Sequence, residues 1–301
     1  MLIELPHLVG VLLAVLAAAC FAAQFLSVRL GTVDGHVIDA VFISLLVNVA
    51  IVVPMVIAVY GVPAVTPQAI MWFALAGISG SLIARTLMFK SVQIIGASRT
   101  SPVISANVFV ATILAVMLFD EVLTGMHLLG IVIIVFGVAV ISWETAHDAE
   151  PDQSLRDLGI SLLLPLFAAI FVGFEPILVT LGLGEGVGVL PGVAIKVTAA
   201  WIGFTVYIVA VERPGGRLLT RSWELWWYLV AGVTGTAGIL AYFTALEAAP
   251  VVIVVPLIQT VPLMVVLLSW IFLPERLEHI TWRLISAAIV VVIGAAIVGF
   301  Q

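Results

Sequence analysis

Apolar residues fill this chain in blocks of about 20, the length that crosses the hydrocarbon of a bilayer as helix. The blocks predict ten spanning helices, at 8–30, 38–60, 68–92, 98–119, 126–143, 158–181, 187–211, 223–248, 250–273 and 280–300. Turn chemistry separates them: Gly31-Thr32-Val33-Asp34-Gly35, Gly61-Val62-Pro63, Pro151-Asp152, Gly182 to Gly188 and Arg213-Pro214-Gly215-Gly216. The longest polar stretch, Glu144 to Asp157, falls between the fifth and sixth blocks. The pattern therefore predicts an all-α integral membrane protein of two five-helix units, 1–143 and 158–301, joined by a loop at 144–157. The first block lacks a basic leader and is expected to remain as a helix.

The two units repeat in sequence. Met88-Phe89-Lys90-Ser91-Val92-Gln93 aligns with Tyr242-Phe243-Thr244-Ala245-Leu246-Glu247, and the same register continues without a gap through Pro102 and Pro256, Ile104 and Ile258, and Glu121 and Glu275. A weaker match pairs Ala17-Ala18 with Ala168-Ala169, Gln24 with Glu175, and Gly31 with Gly182. Five spans per unit is an odd number, so the copies are expected to lie upside down relative to each other, as in many secondary transporters.

Composition agrees. Hydrophobic residues are 63% and charged residues 9% of the chain, against about 45–50% and about 25% in soluble domains. A net charge of −6 offers no basic surface for nucleic acid, and a single cysteine, Cys20, excludes an internal disulfide or a cysteine-built metal site. No metal or other cofactor is implied. Arg29, Lys90, Arg99, Arg156, Arg213, Arg217, Arg221, Arg276 and Arg283 all lie in, or at the span ends bordering, the loops that follow odd-numbered spans. The positive-inside rule then places those loops in the cytoplasm and both termini outside a plasma or inner membrane.

Ionisable groups inside spans each cost at least about 2.5–3.5 kcal/mol, so they need a partner, water or a function. Arg85, Glu175 and Lys196 are such groups. At about 1.5 Å per residue, Glu175 lies about 10 Å and Lys196 about 13 Å from the loop joining spans six and seven. They are expected to meet, either as a structural ion pair or as the two ends of a site for a zwitterion. Pro176 follows Glu175 and predicts a kink or break in span six. Glu175 is thus the candidate proton-coupling or amine-binding carboxylate, Lys196 its counter-charge and Arg85 an anion contact or a snorkelled side chain. Gln24, Asn48, Ser105, Asn107 and Gln259 add uncharged polar groups that suggest a wettable interior. Glu121 and Glu275 are read as caps of the helices that follow them, and Trp223, Trp226, Trp227 and Tyr228 as interfacial anchors.

Gly77-Ile78-Ser79-Gly80, echoed by Gly232-Val233-Thr234-Gly235, permits close helix approach but also matches the Gly-x-Ser-Gly of intramembrane serine proteases. A serine nucleophile needs a base, and His7, His36, His127, His147 and His279 all map to loops or helix ends. A non-enzyme is the expectation. A passive channel is the other alternative, though no repeated filter or charge ring is visible.

Two stretches carry a family resemblance: Ala76 to Glu121, AGISGSLIARTLMFKSVQIIGASRTSPVISANVFVATILAVMLFDE, and Ala231 to Glu275, AGVTGTAGILAYFTALEAAPVVIVVPLIQTVPLMVVLLSWIFLPE. They resemble the EamA type of the drug/metabolite transporter superfamily in the Gly-rich helix, the aromatic-x-Ala-Leu turn, the mid-helix proline and the terminal Gly-Glu-Arg-Leu. The last departs here, reading Asp120-Glu121-Val122-Leu123 and Pro274-Glu275-Arg276-Leu277. The resemblance implies two inverted five-helix repeats around a cavity lined by helices one, three, four, six, eight and nine, and export or exchange of small polar metabolites such as amino acids by alternating access. On that lining Gln24, Arg85, Ser105, Asn107, Glu175 and Gln259 face the cavity, and Lys196 is peripheral unless it leans inward. The expected partners are the lipid bilayer, a small-molecule substrate and protons as coupling ion, with the chain a monomer or homodimer.

Overall fold

The computed structural model describes residues 5–119, 125–147, 155–211, 222–248, 257–274, 277 and 280–299. All regular structure among them is helical. We label the helices α1 (Leu5–Gly31), α2 (Val37–Tyr60), α3 (Pro67–Ile95), α4a (Ala97–Ile104), α4b (Asn107–Phe119), α5 (Gly125–His147), α6 (Leu155–Gly184), α7 (Val189–Val211), α8 (Ser222–Ala248), α9 (Val261–Phe272) and α10 (Trp282–Gly299). Among the described residues, six helical stretches are long and apolar enough to cross a membrane: Leu8–Gly31, Val37–Tyr60, Pro67–Ile95, Leu163–Gly184, Val189–Ala210 and Trp223–Ala245. Leu128–Ile141, Val261–Phe272 and Trp282–Ile297 are shorter apolar helices. Glu121 and Glu275, read as caps, lie outside the described residues, as do the Arg213-Pro214-Gly215-Gly216 turn and residues 148–154 of the 144–157 connection.

Polarity is distributed inside out. Ile202, Val206 and Val209 at helical spacing on α7, and Val132, Val135 and Phe136 on α5, are exposed, whereas Asn48, Arg85, Lys196 and Thr236 are buried. Exposed apolar surface on this scale suits lipid rather than water. Trp223 and Trp226 are exposed at the start of α8, with Trp227 edge-on to Trp223 at 5.6 Å between ring centroids, as interfacial anchors sit.

Packing follows the repeat. α1 lies along α8 as α6 lies along α3; α2 touches α8 as α7 touches α3; α1 meets α9 as α6 meets both parts of α4. The remaining main contacts, α2 with α7, α5 with α10 and α4a with α9, join a helix to its own counterpart. Exchanging the first unit for the second thus maps these main contacts onto one another, although the C-terminal part of α3 also touches α1 and α2 without an equivalent of that size at α8. Single residues follow the same exchange. A Cβ on Gly31 would press on the Tyr228 ring at 2.8 Å, and one on Gly182 on the Phe73 ring at 2.8 Å.

These two glycine contacts lie at opposite ends of α3. Near its C-terminus, Gln93 Nε2 donates to the carbonyls of Thr32 and Gly35 in the α1–α2 turn, the turn that Tyr228 reaches by donating to the His36 carbonyl at 3.2 Å. Arg29 donates to the Gln93 carbonyl at 2.7 Å and to Leu277 at 2.5 Å. The connections after α1 and α9, the C-terminal end of α3 and the N-terminal end of α8 therefore share one face. Phe73, at the other end of α3, packs with Val65 and Val187, from the connections before α3 and after α6, and with Val179 and Leu183 near the end of α6.

Three helices depart from regular α geometry or were expected to. α3 passes through a π-helical stretch, Gly77–Ala84, a rare form that recurs at functional sites. α4a and α4b are separated at Ser105-Ala106, where Ala106 N–H bonds Val103 and Phe109 N–H bonds Ala106 in tight turns. The repeat-equivalent residues Gln259 and Thr260 form the turn that precedes α9, with Thr260 N–H donating to Leu257 at 3.1 Å. α6, in contrast, is one continuous helix through both Pro165 and Pro176. Of the kink or break expected at Glu175, the break is absent: Pro176 removes one amide donor, its carbonyl accepts from Thr180 Oγ1 at 2.9 Å, and the helix continues.

Candidate functional site

Glu175 on α6 and Lys196 on α7 form an ion pair through Glu175 Oε1. Their seat is made by the glycines of α3. A Cβ on Gly80 would overlap Glu175 Oε2, and one on Gly77 would overlap the Lys196 carbonyl oxygen. The small-residue run thus brings α3 close enough to lay its backbone against the Glu175 carboxylate and the Lys196 main chain. Lys196 is 2% exposed, so it leans into the bundle and not toward lipid. The carboxylate keeps more access, with 23% of the Glu175 side chain exposed.

Arg85, one residue past the π stretch, is 6% exposed and does not snorkel. Its Nη1 donates to Asn48 Oδ1 at 2.5 Å, and Asn48 Nδ2 donates in turn to Thr236 Oγ1 at 2.5 Å and to the Gly232 carbonyl at 3.2 Å. This chain links α3, α2 and α8 across the two repeats. Arg85 forms no ion pair with a described residue, although Glu175 is near enough to act electrostatically on both Arg85 and Tyr242 of α8.

Gln24 of α1 is buried against Gly235 of α8, where a Cβ would come within 2.9 Å of its Cδ. Its Nε2 is buried without a hydrogen-bond partner among the described residues. Ser105 and Gln259 are both buried and sit at the two equivalent helix breaks; Ser105 Oγ reaches back to the Ser101 carbonyl at 3.5 Å. Asn107 opens α4b half-buried, and its carbonyl lies where a Cβ on Gly173 of α6 would touch at 2.9 Å. Asn48, Thr236 and Tyr242 complete the layer. Asn48 was visible as a polar group in a span, but its partners lie in distant helices, which no local pattern encodes.

Ser79 donates from Oγ to the Phe171 carbonyl of α6 at 2.9 Å. The hydroxyl joins two helices rather than meeting a base. A separate cavity of about 290 Å³ opens between the start of α2 and the end of α3, lined by His36, Asp39, Thr86, Lys90 and Gln93. Thr86 is the neighbour of Arg85, so this opening approaches the polar layer from the α1–α2 face.

Two packed helical repeats, an apolar exterior and a layer of charged and amide side chains shared between the repeats define a membrane protein of the transporter class. The EamA-like transporter family model matches residues 8–143 and again 159–300, and the chain belongs to that family, within the drug/metabolite transporter superfamily. Among curated proteins none matches it. Of 24 solved chains with matching folds, one titled only "Crystal structure of protein" is 16% identical with a TM-score of 0.64, over 96% of this chain and 95% of that one. At that identity the likeness concerns the fold alone.

Proposed function

We propose that the protein is a secondary carrier that moves a small polar metabolite across a plasma or inner membrane by alternating access. In this reading ten spans form two inverted five-helix units, 1–143 and 158–301, that rock about the layer containing Gln24, Asn48, Arg85, Glu175 and Lys196. The observation that carries it is the placement of that layer: buried, charged and built jointly by helices of both repeats, beside a π-helical stretch and two equivalent helix breaks. The equivalent glycine contacts at opposite ends of α3 support inversion. The basic residues Arg29 and Lys90 at the α1–α2 face support a cytoplasmic placement of that side, with the termini opposite.

Glu175 is the group we assign to coupling, because it is the carboxylate of the layer and retains access while its partner Lys196 has almost none. Proton coupling would work by exchanging the Lys196 partner for a proton and freeing the seam between α3, α6 and α7 to move. The test is uptake of a radiolabelled amino-acid and metabolite panel into proteoliposomes, with and without an inward proton gradient, for wild type and Glu175→Gln. Saturable, gradient-sensitive uptake that loses its gradient response in the variant is the expected result. Full gradient sensitivity in Glu175→Gln would remove the coupling assignment, and flux that rises linearly without saturation would favour a channel.

A further inference from the structure

The polar layer carries more donors and more positive charge than it can satisfy internally. Lys196 and Glu175 neutralise each other. Arg85 then remains as a buried cation whose protein partner is a neutral amide oxygen, Asn48 Oδ1. It holds five N–H donors, and among the described residues only Nη1 is engaged. Gln24 Nε2, also buried, is a further donor without a hydrogen-bond partner among the described residues. The two are connected through neighbouring residues: Gln24 lies on Gly235, next to Thr236, which accepts from the same Asn48 that holds Arg85. Asn48 thereby fixes one edge of the guanidinium and leaves the rest of the fork for a ligand.

We propose that this carrier's substrate site takes a small organic carboxylate that is anionic overall, with Arg85 as its anchor and Gln24 as a second donor. This inference rests on the carrier reading and supplies its substrate class. A carboxylate matches the planar fork of an arginine in bidentate geometry and brings the negative charge that the layer lacks. A neutral zwitterion fits less well, because its ammonium needs a free carboxylate and Glu175 Oε1 is already occupied by Lys196. A free amine would meet a layer whose net charge is already positive.

The experiment uses the purified full chain in detergent and in proteoliposomes. Thermal unfolding is followed at constant ionic strength with lactate, succinate, inorganic phosphate, alanine and ethanolamine, and counterflow is measured for each radiolabelled compound. We expect saturable stabilisation and counterflow by lactate or succinate. Arg85→Gln should weaken carboxylate binding by about tenfold or more, Arg85→Lys by less, and Gln24→Met by a few-fold. If Arg85→Gln does not fold, the Gln24→Met and Arg85→Lys comparisons decide. Stabilisation by alanine or ethanolamine alone, by phosphate alone, or by no compound overturns the carboxylate assignment, and so does carboxylate binding that Arg85→Gln and Gln24→Met leave unchanged. Saturable counterflow of alanine alone would leave the carrier standing without its anion site. Carboxylate binding with no counterflow of any compound would keep the site and remove the carrier.

Discussion

The two repeats build the same seam twice and fill it differently. In one seam, Gly77 and Gly80 of α3 lie against Lys196 and Glu175; in the other, Gly232 and Gly235 of α8 lie against Val47 and Gln24. Gln24 and Glu175 are equivalent in sequence, and each is met by the equivalent glycine. Close glycine contacts are therefore duplicated while charge is not, and the π-helical geometry of Gly77–Ala84 has no counterpart in α8, which is α-helical throughout. The Val47 and Gln24 side packs as closely without an ion pair, so the pair at Glu175 and Lys196 is a cost confined to one half. That asymmetry is what a substrate or coupling ion can act on, because neutralising one group changes one seam and leaves its mirror as it was.

The largest effect should come from breaking the charge on one side only. Lys196→Met leaves the Glu175 carboxylate within the seam without its cation, a change that costs about 3–5 kcal/mol for a buried pair and toward the lower end here because the carboxylate is partly exposed. The double variant Glu175→Gln with Lys196→Met should recover most of that loss, since it makes the seam resemble its neutral mirror. Scanning thermal unfolding in detergent reads both. Equal destabilisation in the single and double variants would show that lost packing, and not the unpaired charge, dominates.

A smaller difference is expected from filling the two glycine seats. Gly80→Ala drives a methyl into a carboxylate pinned by Lys196, whereas Gly235→Ala meets the free end of the Gln24 amide. Overpacking of this kind costs about 1–3 kcal/mol, and we expect Gly80→Ala near the top of that range and Gly235→Ala near the bottom. Unfolding temperatures of the two variants, measured side by side, check it. A larger loss in Gly235→Ala would mean that the Gln24 side is the stiffer seam.

Much of this arrangement is legible in the chain itself. Six span-length helices among the described residues follow from length and hydropathy, and the repeat follows from the register that joins Phe89 to Phe243. The meeting of Glu175 and Lys196 follows from equal depth on consecutive helices, because antiparallel neighbours carry matching depths to the same level. Of the kink or break read at Pro176, the break does not occur: a proline fixes its own φ and deletes a donor, but surrounding helices decide whether the chain breaks, and here α6 stays whole. The irregular segments fell instead in α3, where two glycines face charged neighbours, and at Ser105-Ala106. The partnership of Asn48 with Arg85 and Thr236 was beyond reach, since it spans three helices whose rotation about their own axes no periodicity fixes when apolar residues surround the helix on every side.

The finest difference between the halves lies at Ser79 and Thr234, which occupy equivalent places in the two small-residue runs. Ser79 reaches across to the Phe171 carbonyl of α6, while Thr234 Oγ1 bonds Val230 of its own helix at 2.7 Å. Ser79→Ala therefore removes an interhelical hydrogen bond, about 0.6–1 kcal/mol in a membrane protein, and Thr234→Val removes only a bond within one helix, a loss we expect to be smaller still. Paired unfolding curves measure the difference. Saturable uptake should survive Ser79→Ala, because its hydroxyl serves packing. Loss of all activity in a folded Ser79→Ala protein would return the nucleophile reading, and with it an enzymatic role for the seam.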